Sequence, residues 1–237
     1  MDGGSSDNCT IDSLTVTPSS FDCSNLGANT VTLTAIDQSG NTASCTANVT
    51  IEDTVAPTAI CQIVSVQLDA TGQASSSASD VDGGSTDNCS ISSLSVSPSS
   101  FTCADLDTNT VVLTVTDQSG NTSTCNAIVT VFDTIPPTAI CQDITVQLDG
   151  SGQAMIAAAD VDGGSTDNCT IVSSVGSPDT FSCANTGSNT VTLTLTDQSG
   201  NSSSCTATVT VEDSIVPKAV CQDITIALDG TGRAAIT

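Results

Sequence analysis

The sequence predicts an all-β protein, a tandem array of β-sandwich domains of about 80 residues stapled by disulfides. Three observations lead to this prediction. One repeat pattern runs through the whole chain, short segments alternate apolar residues with Ser or Thr, and cysteines recur at fixed places in each repeat. Alternation with a period of two is typical of strands with one buried face. The most frequent residue types, among them Ser, Thr, Val, Asp and Gly, are mediocre to poor helix formers.

The repeat has a period of 80 residues and no insertions. The Asp-rich segment at 2–9 recurs at 82–89 and at 162–169. The segment Asp-Gln-Ser-Gly-Asn at 37–41 recurs twice more with the same spacing. Such regularity is typical of arrays in which each unit contacts its neighbours in the same way.

The strands follow from the alternation within one repeat. Residues 190–196 and 205–211 alternate Thr with apolar residues and flank an Asp-Gln-Ser-Gly-Asn turn, which predicts a hairpin. Residues 144–148 predict a strand that ends in a turn, and residues 153–159 predict a strand of small side chains. Residues 91–96 predict a further strand. Strands at this spacing, about seven per repeat, indicate an immunoglobulin-like sandwich.

Domain boundaries are expected at the Pro-containing linker of residues 133–137 and at its equivalents. We therefore expect a domain lacking its first two strands at 1–54, complete repeats at 55–134 and 135–214, and the first two strands of another repeat at 215–237. Two explanations are open. The chain is a window on a longer array, which the usual continuity of repeats favours, or the last segment of one copy completes the first domain of another by donor-strand addition.

The charge excludes several functions. The chain has 26 acidic residues and two basic ones, a formal charge of −24, and no His. Nucleic acids and anionic membranes repel such a chain. Without His, the Ser-His and Cys-His pairs of many enzymes are absent, and no apolar run is long enough to span a bilayer. We predict no catalytic residues and no enzyme activity, and we expect a protein that is not embedded in a membrane.

Twelve cysteines at fixed places predict a disulfide framework and an oxidising, extracellular setting, because their spacings do not fit zinc sites. In an immunoglobulin-like sandwich the first strand runs beside the last, which predicts pairs between those strands, and the remaining cysteines are expected to close short loops. The expected pairs are Cys61–Cys125, Cys141–Cys205, Cys9–Cys23, Cys89–Cys103 and Cys169–Cys183. Cys45 and Cys221 then lack partners within the chain, and we expect Cys221 to bond to the equivalent of Cys45 in a following copy.

Three segments resemble a known family. Cys-Gln-Asp-Ile-Thr-Val at 141–146, Thr-Asp-Asn-Cys at 86–89, and the segment at 114–125 resemble the hyalin-repeat (HYR-like) module of immunoglobulin type. The resemblance extends over all repeats and is strongest to giant secreted surface adhesins of gliding Bacteroidetes. It implies an immunoglobulin-like sandwich, an extracellular location, type IX secretion, and a role in adhesion or in surface filaments.

Aspartates are concentrated where the linker, the B–C loop and the F–G turn are expected to meet. Of the acidic residues, only Glu52 and Glu212 are not Asp. Six oxygen donors at one end of a domain suit Ca²⁺. The alternative is that these residues only form turns. The candidate ligands are Asp53, Asp80, Asp82, Asp87, Asp117 and Asn121 for the second domain, Asp133, Asp160, Asp162, Asp167, Asp197 and Asn201 for the third, and Asp2, Asp7 and Asp37 for the first.

The predicted function is a structural and adhesive repeat region of an extracellular surface filament, stiffened by disulfides and by structural Ca²⁺. The alternative is a Ca²⁺-dependent module that binds a glycan or a protein. The expected partners are further copies of the chain, joined end to end or laterally, and a cell-surface target. Thr54, Thr134 and Ser214 match an O-glycosylation pattern of Bacteroidetes, and the alternative for them is a linker cap.

Overall fold

The computed structural model describes residues 1–236. The chain divides into two compact units, Met1–Ile135 and the residues from Pro136 onward. Among the described residues, no helix is both long and apolar enough to cross a membrane.

Within residues 1–236, the two units contain fifteen strands and five short helical turns. In the first unit they are β1 (Ile11–Thr17), β2 (Gly27–Asp37), β3 (Thr42–Ile51), β4 (Val64–Gln67), β5 (Gln73–Ser75), β6 (Ile91–Ser97), β7 (Ser100–Thr102), β8 (Asp107–Asp117) and β9 (Thr122–Phe132), with α1 (Ala78–Val81) and the 3-10 turns Cys23–Asn25 and Cys103–Asp105. In the second unit they are β10 (Ile144–Gln147), β11 (Gln153–Met155), β12 (Ile171–Ser177), β13 (Thr180–Ser182), β14 (Gly187–Asp197) and β15 (Ser202–Glu212), with the 3-10 turns Ala158–Asp160 and Cys183–Asn185.

The all-β sandwich is confirmed in residues 55–134 of the first unit. A four-stranded sheet has the order β4-β9-β8-β6, and a two-stranded sheet pairs β5 with β7. The period-two alternation places Val111, Leu113 and Val115 of β8 on the inner face, where each is fully buried. Strand β4 runs parallel to β9, so the first strand of this repeat does lie beside the last.

The second unit repeats this arrangement with the sheets β10-β15-β14-β12 and β11-β13. The predicted hairpin is confirmed as β14 and β15, and its inward Val and Leu side chains form the core with Phe181 of β13. The predicted strand at 153–159 is shorter than expected. It ends at Met155, because the Asp160 carboxylate accepts a hydrogen bond from the Ala157 amide at 2.7 Å and stabilises a helical turn. Each complete repeat has six strands.

The segment at 1–54 has a single three-stranded sheet, β1-β2-β3. Among the described residues, no strand runs parallel to β3 in the way that β4 runs beside β9. Among residues 215–236 the structure contains no strand, although a turn is closed by the hydrogen bond from the Gly232 amide to the Asp229 carbonyl at 2.9 Å. The division into four domains remains a prediction.

Candidate metal centre

The turn between β8 and β9 fixes the first carboxylate of the candidate site. Asp117 Oδ1 accepts a hydrogen bond from the Asn121 amide at 2.8 Å, and its Oδ2 accepts one from the Asn121 side chain at 2.8 Å. The side chain of Asp117 is only 2% exposed. Burial alone would raise its pKa, but the hydrogen bonds from Asn121 and the turn amides outweigh burial and hold the pKa below its usual value. Asp117 is therefore held as an anion.

Asn121 connects this turn to the incoming linker. Its Nδ2 also donates to the carbonyl oxygen of Asp53 at 3.0 Å. Asp53 Oδ1 accepts hydrogen bonds from the Val55 amide at 3.1 Å and from Asn88 Nδ2 at 3.2 Å, and Asn88 lies in the loop before β6. In this repeat the linker, the B–C loop and the F–G turn therefore meet at one end, as the sequence predicts.

The third carboxylate belongs to the loop before β6. Asp87 Oδ2 accepts a hydrogen bond from the Cys89 amide at 2.9 Å, and Cys89 forms a disulfide with Cys23. This hydrogen bond and the disulfide fix the loop. Within residues 1–236, Asp87 Oδ1 accepts no hydrogen bond from a backbone amide.

We call Asp53, Asp87 and Asp117 the carboxylate triad. Each offers an oxygen, and these three oxygens lie within 4.8 Å of one another. Asp53 Oδ2 and Asp87 Oδ1 are buried and have no hydrogen-bond partner among the described residues. Buried carboxylate oxygens without partners are costly, and three close negative charges repel one another. Oxygens around one Ca²⁺ each lie about 2.3–2.6 Å from the ion, so separations below about 5 Å fit a shared cation.

Asp80 and Asp82 are not part of the triad and have local roles. Asp80 Oδ2 accepts hydrogen bonds from the Ser77 amide and hydroxyl at 2.7 and 2.6 Å and caps α1. Asp82 Oδ1 accepts from the Ser85 amide and hydroxyl at 3.0 and 2.6 Å, and the side-chain hydrogen bond from Ser85 lowers its pKa. Both contacts suit the turn-former alternative. The sequence contains a signal for these local roles, because each of the two Asp residues has a Ser three positions away.

The second unit repeats the local contacts of the loop and turn residues. Asp197 accepts hydrogen bonds from Asn201, Asp167 accepts from the Cys169 amide, and Asp160 and Asp162 are bonded within their own turns. For these residues, and for Asp133 and Asn201, a role as metal ligands remains a prediction.

In the first domain the candidate ligands are likewise held within their own loops. Asp2 and Asp7 accept from the amides of Ser5 and Cys9, and Asp37 accepts from Asn41. For all these residues a role as metal ligands remains a prediction.

Two of the predicted disulfides are confirmed. Cys61–Cys125 and Cys141–Cys205 have Cα atoms 5.9 and 5.8 Å apart and join the segment before the first strand to the last strand. These are the pairs that follow from placing the first strand beside the last.

The predicted short-loop pairs are wrong. Cys23 bonds to Cys89 with a Cα separation of 5.4 Å, which excludes Cys9–Cys23 and Cys89–Cys103. Cys169 is disulfide-bonded whereas Cys183 is free, which excludes Cys169–Cys183. Strand length explains why Cys89–Cys103 does not form. The two cysteines flank β6, whose seven residues span roughly 20 Å. The three residues of β7 are too few to bring the chain back within disulfide distance of Cys89.

The remaining cysteines and the candidate glycosylation residues complete the comparison with the sequence predictions. Cys103 is disulfide-bonded. Cys9, Cys45, Cys183 and Cys221 are free and exposed, so they form no disulfide here. The candidate glycosylation residues are all exposed, and their modification remains a prediction. They are Thr54, Thr134 and Ser214.

The comparisons support the resemblance seen in the sequence. Residues 132–211 match the family model described as HYR domain. No curated protein matches the chain. The prediction of a hyalin-repeat module is thus confirmed for this segment, which is one repeat length.

Solved structures with a similar fold are cadherin domains. Protocadherin gamma B7 extracellular cadherin domains 1–4 has 17% identity over 81% of this chain and 59% of its own length, with a TM-score of 0.34. Protocadherin gamma C5 EC1-3 has 12% identity, with coverages of 80% and 78% and a TM-score of 0.37. Human protocadherin-24 EC1-2 has 14% identity, with coverages of 68% and 100% and a TM-score of 0.36. At these values the likeness carries no functional information.

Proposed function

We propose that this chain is part of an extracellular structural and adhesive repeat array, the stalk of a surface filament. Its repeats are joined covalently by disulfides and clamped at their junctions by Ca²⁺. The observation that supports this proposal most strongly is the Cys23–Cys89 bond, which connects the segment at 1–54 to the repeat at 55–134. A bond between successive repeats transmits tension past the linker. It has no evident use in a protein whose domains act singly.

Calcium would add a second connection at the same junction. Asp53 lies on the linker, whereas Asp87 and Asp117 lie on the following domain. A cation shared by the three carboxylates would offset their repulsion and fix the linker on the domain. Because domains joined by a flexible linker move independently, such a clamp would stiffen the array.

The partners we propose are further copies of the chain and a target on another surface. Disulfides and the HYR match support an extracellular location, and we propose secretion by a gliding bacterium of the Bacteroidetes type. A glycan-binding function has less support, because the chain has no Trp or Tyr with which to stack a sugar ring.

Pulling single molecules of the 237-residue chain tests the proposed role. In the Cys23→Ala/Cys89→Ala background, in which no disulfide bypasses the linker, we expect millimolar Ca²⁺ to raise the force at which the residues around the linker yield, and EDTA to lower it. Asp87→Asn should remove the Ca²⁺ effect while its side-chain oxygen still accepts the Cys89 amide. Asp69→Asn is the matched control, since Asp69 caps a turn through the Thr71 amide at 2.8 Å. An equal Ca²⁺ effect in both variants would contradict the proposed clamp.

A further inference from the structure

Three consecutive residues of the loop before β6 make different contacts at the junction. Asp87 offers one oxygen to the carboxylate triad. Asn88 Nδ2 donates a hydrogen bond to Asp53 Oδ1 at 3.2 Å and so connects the linker to the loop. Cys89 forms the disulfide with Cys23, and its amide donates to Asp87 Oδ2 at 2.9 Å. One short segment therefore connects the disulfide to two of the three carboxylates.

The disulfide is the main attachment of this short segment to its surroundings. Within residues 1–236, residues 87–89 make no backbone–backbone hydrogen bond. The nearest ones on either side are made by Thr86 and by Ser90. A segment without such hydrogen bonds opens at little cost in free energy unless another bond holds it. The position of residues 87–89 therefore depends on the bond to Cys23.

On the other side of the bond, Cys23 begins a 3-10 turn that is closed by reciprocal hydrogen bonds. Asp22 Oδ1 accepts a hydrogen bond from the Ser24 amide at 2.9 Å, and Asn25 Oδ1 accepts one from the Asp22 amide at 3.0 Å. This arrangement is a capping box, which fixes the first turn of a helix. The disulfide therefore attaches residues 87–89 to a well-defined turn of the preceding segment.

The same disulfide is accessible to a thiol reductant. Cys23 is exposed, whereas the four cysteines of the bonds Cys61–Cys125 and Cys141–Cys205 are half-buried. A thiolate that attacks the Cys23 sulfur forms a mixed disulfide and releases Cys89 as a thiolate, and a second thiol of the reductant then displaces Cys23. In balance, one protein disulfide and two reductant thiols become two protein thiols and one reductant disulfide. Free approach to the sulfur favours reaction at this bond.

We propose that the redox state of the Cys23–Cys89 bond controls the Ca²⁺ affinity of the carboxylate triad. In the oxidised form, residues 87–89 are held where their carboxylate shares a cation with the other two. After reduction by a thiol, the cation must itself order this segment, and the cost of that ordering lowers the affinity. Couplings between two sites usually amount to about 5- to 150-fold, and we expect about tenfold, because all three carboxylates are retained.

The coupling acts in both directions. If oxidation raises the Ca²⁺ affinity about tenfold, bound Ca²⁺ must make the bond harder to reduce by the same factor, because linkage between two sites is reciprocal. This inference rests on the proposed function in taking Ca²⁺ as the ligand of the triad. The two fail separately, since equal affinities of the oxidised and reduced forms would contradict the redox control and leave the Ca²⁺ clamp unaffected.

Calorimetry on the 237-residue chain measures the first direction of the coupling. The dissociation constant of the Ca²⁺ ion at the triad should be about tenfold higher in Cys23→Ala/Cys89→Ala than in the oxidised wild type. The matched control is Cys61→Ala/Cys125→Ala, which removes a bond of nearly the same sequence separation, 64 against 66 residues, from the same repeat. Its dissociation constant should equal that of the wild type. Hydrogen exchange of β8 and β9 shows that both variants are folded.

A second measurement follows the other direction in the wild type and does not depend on the folding of a cysteine variant. The chain is equilibrated with mixtures of reduced and oxidised dithiothreitol, in Ca²⁺ or in EDTA, and its thiols are alkylated and identified by peptide mass spectrometry. Half-reduction of Cys23–Cys89 should need an about tenfold higher ratio of reduced to oxidised dithiothreitol in saturating Ca²⁺ than in EDTA. Asp87→Asn should abolish this shift, and the turn variant Asp69→Asn should keep it.

Two results would overturn the redox control alone. One is an equal Ca²⁺ affinity of the oxidised wild type and Cys23→Ala/Cys89→Ala, together with a dithiothreitol ratio that Ca²⁺ does not change. The other is an equal loss of affinity in a folded Cys61→Ala/Cys125→Ala, which would show general loosening of the repeat. Absence of saturable Ca²⁺ binding to the oxidised wild type would overturn the proposed clamp and this inference together.

Discussion

Removal of the Cys141–Cys205 disulfide should destabilise its domain by an amount that the structure allows us to estimate. The bond closes a loop with a sequence separation of 64 residues. The loop-closure entropy of the unfolded chain then corresponds to about 4 kcal/mol at 25 °C. The core of this domain consists of aliphatic side chains with a single Phe, so a loss of this size is a large part of its stability.

The variant is Cys141→Ala/Cys205→Ala, and the assay is hydrogen exchange followed by peptide mass spectrometry. Amides of β14 and β15 should exchange about a thousandfold faster, because each 1.4 kcal/mol corresponds to a factor of ten. Peptides from β8 and β9, which have their own Cys61–Cys125 bond, are the internal reference. Cys183→Ala is the control, since that thiol is free. A change below about tenfold, or an equal change in the control, would refute the reasoning.

Two further predictions concern the core and the acid range. Phe181→Ala should lower the free energy of unfolding in urea by about 3–5 kcal/mol, because Phe181 is 2% exposed. Phe21→Ala in the segment at 1–54 should lower it much less, because Phe21 is only half-buried, and equal losses would contradict this. Ser85→Ala should raise the pKa of Asp82 towards its usual value in an NMR titration, because the side-chain hydrogen bond from Ser85 is the largest cause of the lowering, and an unchanged pKa would contradict it. Because the pKa of Asp82 is lowered in the folded state, the ionised Asp82 stabilises the fold fully above about pH 5. This stabilisation is lost as the pH falls through the folded pKa. Ser85→Ala should make the loss of stability in acid smaller.

The sequence predicts most of the fold because the alternation is strict. Val191, Leu193 and Leu195 are separated by Thr, and only one strand register buries all three. The same pattern predicts the Cys141–Cys205 pair, since it requires only that two strands be neighbours. These inferences depend on local periodicity and on one topological rule.

The periodicity within one repeat could not predict the Cys23–Cys89 bond, because this bond joins two repeats. Its prediction requires the orientation of one domain on the next, which local periodicity does not contain. The Cys89–Cys103 pair, however, could have been rejected from the length of the strand predicted between the two cysteines. Among the aspartates, the sequence placed Asp53, Asp87 and Asp117 at one end, but it did not separate them from Asp80 and Asp82. Only the hydrogen bonds show which carboxylates are used by turns and which keep free oxygens.

Calcium titration of the disulfide-intact chain by calorimetry tests the central claim, that the carboxylate triad is a cation site at a junction between repeats. We predict saturable Ca²⁺ binding to the wild type, and one bound ion fewer in Asp87→Asn. The control Asp69→Asn removes the same charge from a turn and should bind as the wild type does. The account would be contradicted by the absence of saturable binding up to 10 mM Ca²⁺, which is about tenfold above the weakest dissociation constants of extracellular Ca²⁺ modules. An unchanged number of bound ions in Asp87→Asn would also contradict it.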